Sequence, residues 1–144
     1  MGIYRCEKCG ALNRVPAERK TAGPKCGGCK DRLDTNGHPQ EVDTESLLAT
    51  LEASPVPVLV DFWAPWCAPC RAAAPMMEDI AEENAGSLLV LKLNTDEDGG
   101  YSSGLGIRSI PTFMIFRGGK EVARQSGLPP QRDFEDWVAK HASV

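Results

Sequence analysis

The six cysteines of this chain fall into three Cys-x-x-Cys pairs, and two kinds of chemistry are expected of them. In chain order the pairs are Cys6/Cys9, Cys26/Cys29 and Cys67/Cys70. The first two pairs are sixteen residues apart, a spacing typical of sites in which four thiolates bind one zinc ion. The third pair lies among tryptophans and prolines in an apolar run, which indicates a thiol pair that exchanges electrons.

Glycines near the two N-terminal pairs support the zinc interpretation. Gly10 and the Gly27-Gly28 dipeptide are expected in tight turns around a metal, because glycine adopts the required backbone conformations without steric cost. Zinc held by four sulfurs has no open position for a substrate, so its expected role is structural. Two alternatives stay open: the four cysteines could form disulfides, or they could release zinc on oxidation and so sense oxidants.

Apolar residues are unevenly distributed over the 144 residues of the chain. Residues 1–40 contain only six large apolar side chains, whereas eight of the nine aromatic residues lie from Phe62 onward. A segment with so little apolar surface usually needs a metal or a disulfide to fold. We therefore predict a zinc-binding module over residues 1–35, a polar linker over 36–42 and a second domain over 43–144.

Charge is divided along the chain in the same way. Residues 1–40 carry eight basic and four acidic side chains, whereas residues 41–144 carry eight basic and sixteen acidic ones. Four thiolates and one zinc ion would lower the positive charge of the first segment further, so nucleic acid is not an expected partner. The N-terminus lacks the apolar core of a signal peptide, and no stretch resembles a membrane span. A cytoplasmic protein with reduced thiols is expected, which argues against structural disulfides.

The apolar pattern after residue 42 predicts alternating strands and helices. A helix should begin at Asp43 or Thr44, and continuous apolar runs predict buried strands. The predicted strands are Val58–Trp63, Leu88–Leu93, Thr112–Arg117 and Glu121–Gln125, the last two joined as a hairpin at Gly118-Gly119. One helix, which Pro75 should kink, carries the apolar residues Met76, Met77, Ile80 and Ala81, and a final helix carries Phe134, Trp137, Val138 and His141. This order predicts an α/β fold with a central mixed sheet flanked by helices.

Cys67 and Cys70 have the spacing of a redox pair at the start of a helix. Thiols at positions i and i+3 of a first helical turn can form a disulfide with little backbone movement. The unpaired N–H groups and partial positive charge of the helix N-terminus should stabilise the Cys67 thiolate. We therefore predict that Cys67 is the nucleophile and Cys70 the resolving thiol, and that Pro69 stiffens the segment between them.

Asp61 is the single acidic residue in the apolar strand that precedes this pair. Burial should raise the pKa of its carboxyl, because a low dielectric disfavours the charged form. Such a carboxyl could take the proton of Cys70 when that thiol has to attack. Lys92, in the next buried run, is the expected charge partner, and the alternative is a purely structural ion pair.

These motifs resemble the thioredoxin family. The segments that carry the resemblance are Trp63–Arg71, Pro75, Asn94–Asp96, Gly106–Thr112 and Gly118-Gly119. With the two N-terminal cysteine pairs and residues 13–16 between them, the chain is similar over essentially its whole length to the zinc-bearing bacterial thioredoxin 2 type. Two positions depart from the pattern: Ala68 stands where the commonest motif has glycine, and the segment Tyr101–Gly104 is poor in helix formers.

The resemblance implies a thioredoxin-like fold, preceded by a four-cysteine module that binds one structural Zn²⁺. It implies a protein-disulfide reductase, a cis bond before Pro111 and a groove that receives the backbone of a target protein. The residues it assigns to substrate binding are Trp66, Ala68, Pro69, Ile110, Pro111 and Gly127. It also implies reduction by thioredoxin reductase, an NADPH-dependent flavoprotein, and action on disulfide-containing proteins. We expect the chain to be a monomer.

A function of another class stays open. The chain could be a redox-regulated adaptor or holdase, in which the zinc module recruits partners or senses oxidants. If the chain is a reductase, substitution of Cys67 should abolish its activity. If it is an adaptor, deletion of the zinc module should abolish partner binding.

Overall fold

The computed structural model describes all 144 residues of the chain. The strands are β1 (Gly2–Arg5), β2 (Leu12–Val15), β3 (Gln40–Glu41), β4 (Val58–Trp63), β5 (Leu89–Asn94), β6 (Thr112–Arg117) and β7 (Lys120–Ser126). The helices are α1 (Thr44–Ala53), α2 (Ala68–Glu83), α3 (Tyr101–Gly104) and α4 (Gln131–Ala142), with one 3-10 turn at Ala17–Arg19. None of the helices combines the length and the apolar character needed to cross a membrane.

A five-stranded mixed sheet forms the centre of the fold, in the order β3-β5-β4-β6-β7. Strand β4 runs parallel to β5 and antiparallel to β6, so it lies in the middle of the sheet. Its side chains are buried on both faces, as its continuous apolar run predicted. Helices α2 and α4 contribute to the core on one face of the sheet, and α1 contributes to the core on the other. The α/β fold with a central mixed sheet is thus confirmed.

Several boundaries of helices and strands lie where local sequence signals predicted them. Helix α1 begins after Asp43, whose carboxylate accepts a hydrogen bond of 2.7 Å from the Ser46 N–H. Helix α2 continues through Pro75. The hairpin of β6 and β7 turns at Gly118-Gly119, where both glycines have positive φ. The short helix α3 forms in the segment whose helical character the sequence left uncertain.

The N-terminal strands form a separate two-stranded antiparallel sheet. The predicted module therefore contains a hairpin, β1 with β2, which the sequence analysis did not identify. The core of this part has only five buried residues, and two of these are the cysteines Cys6 and Cys26. So small an apolar core cannot account for a folded module without additional cross-links.

The N-terminal module contacts the main sheet through a buried polar network. Arg5 is 8% exposed, and its guanidinium donates to the Gln40 side-chain oxygen at 2.7 Å and to the Thr50 hydroxyl at 3.2 Å. The Gln40 amide in turn donates to the Arg5 carbonyl at 2.9 Å. Gln40 lies in β3, within the predicted linker 36–42, so this segment also adds an edge strand to the sheet. The proposed domain limits stay predictions.

A second contact joins the module to the C-terminal end of α2. The Ile3 N–H donates to the Gly86 carbonyl at 2.9 Å. Gly37 lies against α2 with φ +86°, and a Cβ on it would collide with the Ala81 carbonyl oxygen and approach Ala85 Cβ to 2.8 Å. The backbone of residue 37 therefore passes too close to α2 for any side chain.

We expect Gly37→Ala to destabilise the protein more than an alanine substitution at a glycine that has positive φ but open space around its Cβ position. Gly99→Ala is the matched control, because Gly99 has φ +64° and a Cβ on it would meet no heavy atom within 4 Å. The control should lose about 1 kcal/mol through left-handed strain. Gly37→Ala should lose at least about 2 kcal/mol more, from overpacking against α2. Urea unfolding monitored by tryptophan fluorescence measures both, and equal losses would contradict the close approach.

Candidate redox centre and metal site

Cys67 and Cys70 form a disulfide at the start of α2. Cys67 is the N-terminal capping residue of the helix, and its Sγ accepts a hydrogen bond of 3.2 Å from the Cys70 N–H. A sulfur in this position is one of the acceptors that the unpaired N–H groups of a helix N-terminus stabilise when it carries negative charge. Pro69 lies in the first turn, where its missing N–H costs nothing.

The two sulfurs differ in their surroundings. Both cysteines are buried, Cys67 at 5% and Cys70 at 2% exposure, but the chain neighbours of Cys67, Trp66 and Ala68, are exposed, whereas Cys70 faces the buried side of α2. The exposed surface next to the pair therefore borders Cys67, and an incoming disulfide has to reach a sulfur of which only a small part is exposed. This arrangement suits the roles that the sequence predicted for the two residues, the outer sulfur as nucleophile and the inner one as resolving thiol.

The predicted groove residues come together around Cys67. The Ile110–Pro111 bond is cis, as the resemblance implied, and Cys67 Sγ lies 3.7 Å from the Ile110 carbonyl oxygen. The Gly127 N–H donates to the Pro111 carbonyl at 2.9 Å, which places the start of the loop after β7 beside the cis bond. Trp66 is 68% exposed, an unusual exposure for so large an apolar surface. A partner that covers Trp66 would gain apolar contact next to the disulfide.

Two contacts that the sequence analysis did not identify hold the loop before α2. The Trp66 indole N–H donates to the Asp96 carboxylate, at 3.1 and 3.3 Å to its two oxygens. The Arg71 guanidinium donates to the Pro65 carbonyl at 2.7 Å. Asp96 had a signal in the sequence, because it ends the Asn94–Asp96 motif directly after the buried strand β5.

Asp61 is completely buried in β4. Its side chain faces the same side of the sheet as Leu59, which packs in the core cluster that contains α2 residues. Both carboxyl oxygens are buried and have no hydrogen-bond partner. Burial raises the pKa of Asp61 to about 7, an effect that Lys92 opposes and Glu41 reinforces. Near neutral pH this carboxyl can therefore either hold a proton or accept one.

Lys92 lies next to Asp61 in the sheet, but its ion pair is with a different residue. Asp61 and Lys92 are paired in the register of β4 and β5, as the sequence prediction requires. The Lys92 ammonium lies 4.0 Å from the Glu41 carboxylate and 4.3 Å from the centre of the Trp63 ring. It forms no ion pair with Asp61, whose oxygens remain without a partner. Sequence reasoning missed Glu41 because β3 is only two residues long and lies in the predicted linker.

The four N-terminal cysteines form a cluster of suitable size for one metal ion. Their sulfur atoms all lie within 4.8 Å of one another. Two of the pairs cross between the two motifs: Cys6 to Cys29 at 3.7 Å and Cys9 to Cys26 at 3.6 Å. Zinc bound to four sulfurs at 2.3 Å gives tetrahedron edges of about 3.8 Å. The distances are much longer than a disulfide bond, so the geometry favours a metal site over the disulfide alternative.

The Cys26 sulfur also accepts hydrogen bonds, which favour the thiolate form that a metal ion requires. Backbone N–H donation and the Asn13 side-chain amide lower the pKa of the Cys26 thiol to about 6. Against a backbone hydrogen bond from Asp31, burial and the neighbouring cysteines raise the pKa of the Cys29 thiol to about 11. The Gly28 N–H lies 3.3 Å from the Cys26 sulfur. Donors of this kind stabilise a thiolate, which is the form that binds zinc. The residues present therefore fit a Zn²⁺ ion.

The two turns that present these sulfurs repeat one backbone pattern. In the first turn the Gly10 N–H donates to the Cys6 carbonyl at 2.7 Å, and in the second the Lys30 N–H donates to the Cys26 carbonyl at 2.9 Å. Gly10 and Lys30 both have positive φ, +80° and +70°. The expectation for Gly10 is confirmed, and Gly27 and Gly28 do lie in the second turn, but neither of them has the positive φ. The left-handed position of the second turn follows Cys29 and is occupied by a lysine.

Comparison with known proteins identifies both parts of the chain. Residues 38–140 match the family model described as thioredoxin, and residues 5–31 match the model described as the N-terminal region of thioredoxin 2. Thioredoxin 1 of Nostoc sp. is 51% identical over 88 residues, which cover 61% of this chain and 82% of that protein. Thioredoxin C-3 of Corynebacterium nephridii is 35% identical over 136 residues, 94% of this chain and 92% of that protein.

A solved structure supports the same assignment. A mutant thioredoxin from Halobacterium salinarum superposes with a TM-score of 0.68 and 28% sequence identity. The match covers 77% of this chain and 96% of the other. The alignment with the C. nephridii protein is too long to be confined to the second domain, so it also includes part of the cysteine-rich N-terminal region.

Proposed function

This chain belongs to the thioredoxin family, and from this membership we infer that Cys67 and Cys70 carry out its protein-disulfide reductase activity. The observation that carries the inference is the position of Cys67 as the N-terminal cap of α2, beside the cis bond before Pro111. A reduced Cys67 at this point would be a stabilised thiolate next to an exposed surface for a target. The test is the reduction of insulin disulfides by the Cys67→Ser and Cys70→Ser variants.

The reaction proceeds in two exchanges that together transfer two electrons to the target. The Cys67 thiolate attacks one sulfur of the target disulfide, forms a mixed disulfide and releases the other target sulfur as a thiolate. The Cys70 thiol then loses its proton, and its thiolate attacks the Cys67 sulfur. The Cys67–Cys70 disulfide forms, and the second target sulfur leaves as a thiolate. The target is reduced and this chain is oxidised.

Asp61 is the proposed acceptor of the Cys70 proton. It lies on the face of the sheet that α2 covers, it is the buried acid nearest in sequence to the pair, and its oxygens are not engaged by another donor. With a pKa of about 7, the carboxyl is ionised in part of the molecules at neutral pH and can accept a proton. Since no water-exposed base is needed, the second exchange can take place under a bound target.

Asp61→Asn should slow the second exchange and stabilise the protein. Loss of the base should reduce release of the target from the mixed disulfide on the order of 10²-fold at neutral pH. Wild-type stability should fall as pH rises between the ordinary aspartate pKa and about 7, because the native state keeps a proton that the unfolded state has lost. The variant lacks this pH dependence, so above pH 7 it should be more stable by a few kcal/mol.

Stopped-flow fluorescence and urea unfolding at several pH values measure these two effects. The first exchange serves as the internal control, because Asp61 takes no part in it. In a Cys70→Ser background, Asp61→Asn should therefore leave the rate of mixed-disulfide formation unchanged. A variant with normal target release, or with wild-type stability above pH 7, would remove Asp61 from the mechanism.

The electron donor and the partners are proposed from the family. We propose that the oxidised chain is reduced by thioredoxin reductase with electrons from NADPH, and that its targets are disulfide-containing proteins of the cytoplasm. We also propose that the chain acts as a monomer. Consumption of NADPH in a mixture of this chain, a bacterial thioredoxin reductase and insulin tests the donor, and analytical ultracentrifugation tests the monomer.

Zinc bound by Cys6, Cys9, Cys26 and Cys29 is proposed to stabilise the N-terminal module. The ion would cross-link two turns whose shared apolar core is small. The module packs against the C-terminal end of α2 and the β3 edge of the sheet, whereas the redox pair lies at the N-terminal end of α2. Its contacts therefore support a structural brace of the second domain more than an extension of the target groove.

A further inference from the structure

A row of polar side chains crosses one face of the sheet beneath the redox centre. Lys92 is paired in register with Asp61 of β4 on one side and with Glu41 of β3 on the other. Side chains paired across neighbouring strands point to the same face of the sheet. Glu41, Lys92 and Asp61 are therefore successive members of one row that leads from the edge of the sheet to its buried centre.

Lys92, in the middle of this row, has an acidic neighbour on each side, Glu41 and Asp61. Its ammonium lies 4.0 Å from the Glu41 carboxylate and stacks over the Trp63 ring, while Asp61 has no ion pair. The Glu41 side chain is 55% exposed and that of Lys92 only 18%, so Glu41 keeps contact with water on the outer side. A lysine paired at the edge leaves the buried acid without an ion pair, although Lys92 still lowers the pKa of Asp61.

We propose that Glu41 is a positioning residue for the second exchange, because it holds the Lys92 ammonium at the edge of the sheet and thereby sets how readily Asp61 takes the Cys70 proton. The inference rests on the proposed role of Asp61. The proton moves from the Cys70 sulfur to an Asp61 carboxylate oxygen, and Lys92 remains charged throughout. Glu41 acts only through the position of Lys92 and through its own charge.

Few other charged groups face this row. The charged groups that act on Asp61 are Lys92 from β5 and Glu41 from β3. Burial raises the pKa of Asp61, Lys92 opposes this effect, and Glu41 reinforces it. In the oxidised protein Cys67 and Cys70 are joined as a disulfide and do not titrate, and the charged side chains of α2 are exposed. The other helix on this face, α4, contributes the neutral residues Phe134, Val138 and Ala142 to the core. Strands β6 and β7 contribute the neutral residues Phe113 and Gln125 in register with Asp61. Burial raises the pKa of Glu41 itself, Lys92 and the Trp63 side chain oppose this effect, and Glu97 adds a smaller increase.

Glu41→Gln removes one negative charge while keeping the size of the side chain. Lys92 then loses its partner at the edge and can approach Asp61, and the field of Glu41 on Asp61 disappears as well. Both effects favour the Asp61 carboxylate. The titration midpoint of Asp61 should fall by about one pH unit, as expected when an opposite charge comes within 4 to 6 Å of a carboxyl. Near pH 6 the second exchange should become faster, by at most about fivefold for a shift of that size.

The measurement is the ¹³C-carboxyl NMR titration of Asp61 in the oxidised full-length protein. Glu52→Gln is the matched control, because it makes the same charge change at an exposed position of α1, which packs on the opposite face of the sheet. The control should titrate like the wild type. If Glu41→Gln also titrates like the wild type, the proposal is overturned.

A double variant separates positioning from a simple effect of charge. If Glu41 acts by holding Lys92, the shift caused by Glu41→Gln should be much smaller in a Lys92→Met background. An equally large shift in that background would overturn the positioning role. These titrations do not depend on reductase activity, which is measured separately with insulin. Failure of this inference and failure of the proposed function are therefore distinguishable.

Discussion

Cys67→Ser should lose disulfide reductase activity on the order of 10³-fold or more, because a hydroxyl at this position is not ionised at neutral pH and cannot begin the exchange. Cys70→Ser should lose multiple turnover as well, but for another reason. Its Cys67 can still attack, so the chain should accumulate as mixed disulfides with its targets. Insulin turbidity measures the first effect, and non-reducing gel electrophoresis measures the second.

The double variant with serine at residues 67 and 70 is the control for trapping. It should form no mixed disulfides, which shows that captured targets are bound through the sulfur of Cys67 and not through the N-terminal cysteines. Normal insulin reduction by Cys67→Ser would contradict the reductase mechanism. Covalent capture of targets by Cys67→Ser would instead assign the nucleophile to another thiol.

The elements around the redox pair could be predicted because their signals are local. The unbroken apolar run of β4 indicates a strand that is buried on both faces, and Asp61 is conspicuous as the one charge in it. Asp43 can cap α1 because its carboxylate reaches an N–H only three residues away. The two glycines at the turn between β6 and β7 both need positive φ. None of these features requires knowledge of distant residues.

The contacts of the N-terminal module could not be predicted in the same way. The Arg5–Gln40 hydrogen bond joins residues 35 positions apart, and Arg5 and Thr50 are 45 apart. Nothing in the local pattern shows that Arg5 is buried, since arginine is usually exposed. The edge strand β3 has two residues and therefore no detectable periodicity. Because β3 was missed, the ion pair of Lys92 was assigned to Asp61, and Glu41 was not considered.

Removal of zinc from the reduced full-length chain should unfold the N-terminal module and leave the second domain folded. The module buries only five core residues, and zinc binding supplies roughly 10 to 16 kcal/mol in small zinc peptides at neutral pH. Without the metal, the thiols of two core residues, Cys6 and Cys26, become separate polar groups. Amide hydrogen exchange should lose protection in β1 and β2, while β4 and β6 remain protected.

The second domain should nevertheless become less stable when the module unfolds. Arg5 would leave its buried network, and the side chain of Gln40 and the hydroxyl of Thr50 would each lose a hydrogen-bond partner. The thermal midpoint of the second domain should therefore fall by several degrees on chelation. Arg5→Met should produce a similar fall with zinc still bound, because it removes the same network without touching a metal ligand.

Activity after chelation separates a brace from an adaptor. A brace predicts that insulin reduction at 25 °C persists, since the redox pair lies at the opposite end of α2 from the module contacts. An adaptor predicts that reduction of small disulfides persists while capture of protein targets by the Cys70→Ser variant is lost. Protected amides in β1 and β2 after complete zinc removal would contradict the structural role of the metal. If zinc holds the module and Arg5 and Gln40 join it to the sheet, the metal would determine stability while the sulfur chemistry takes place at α2.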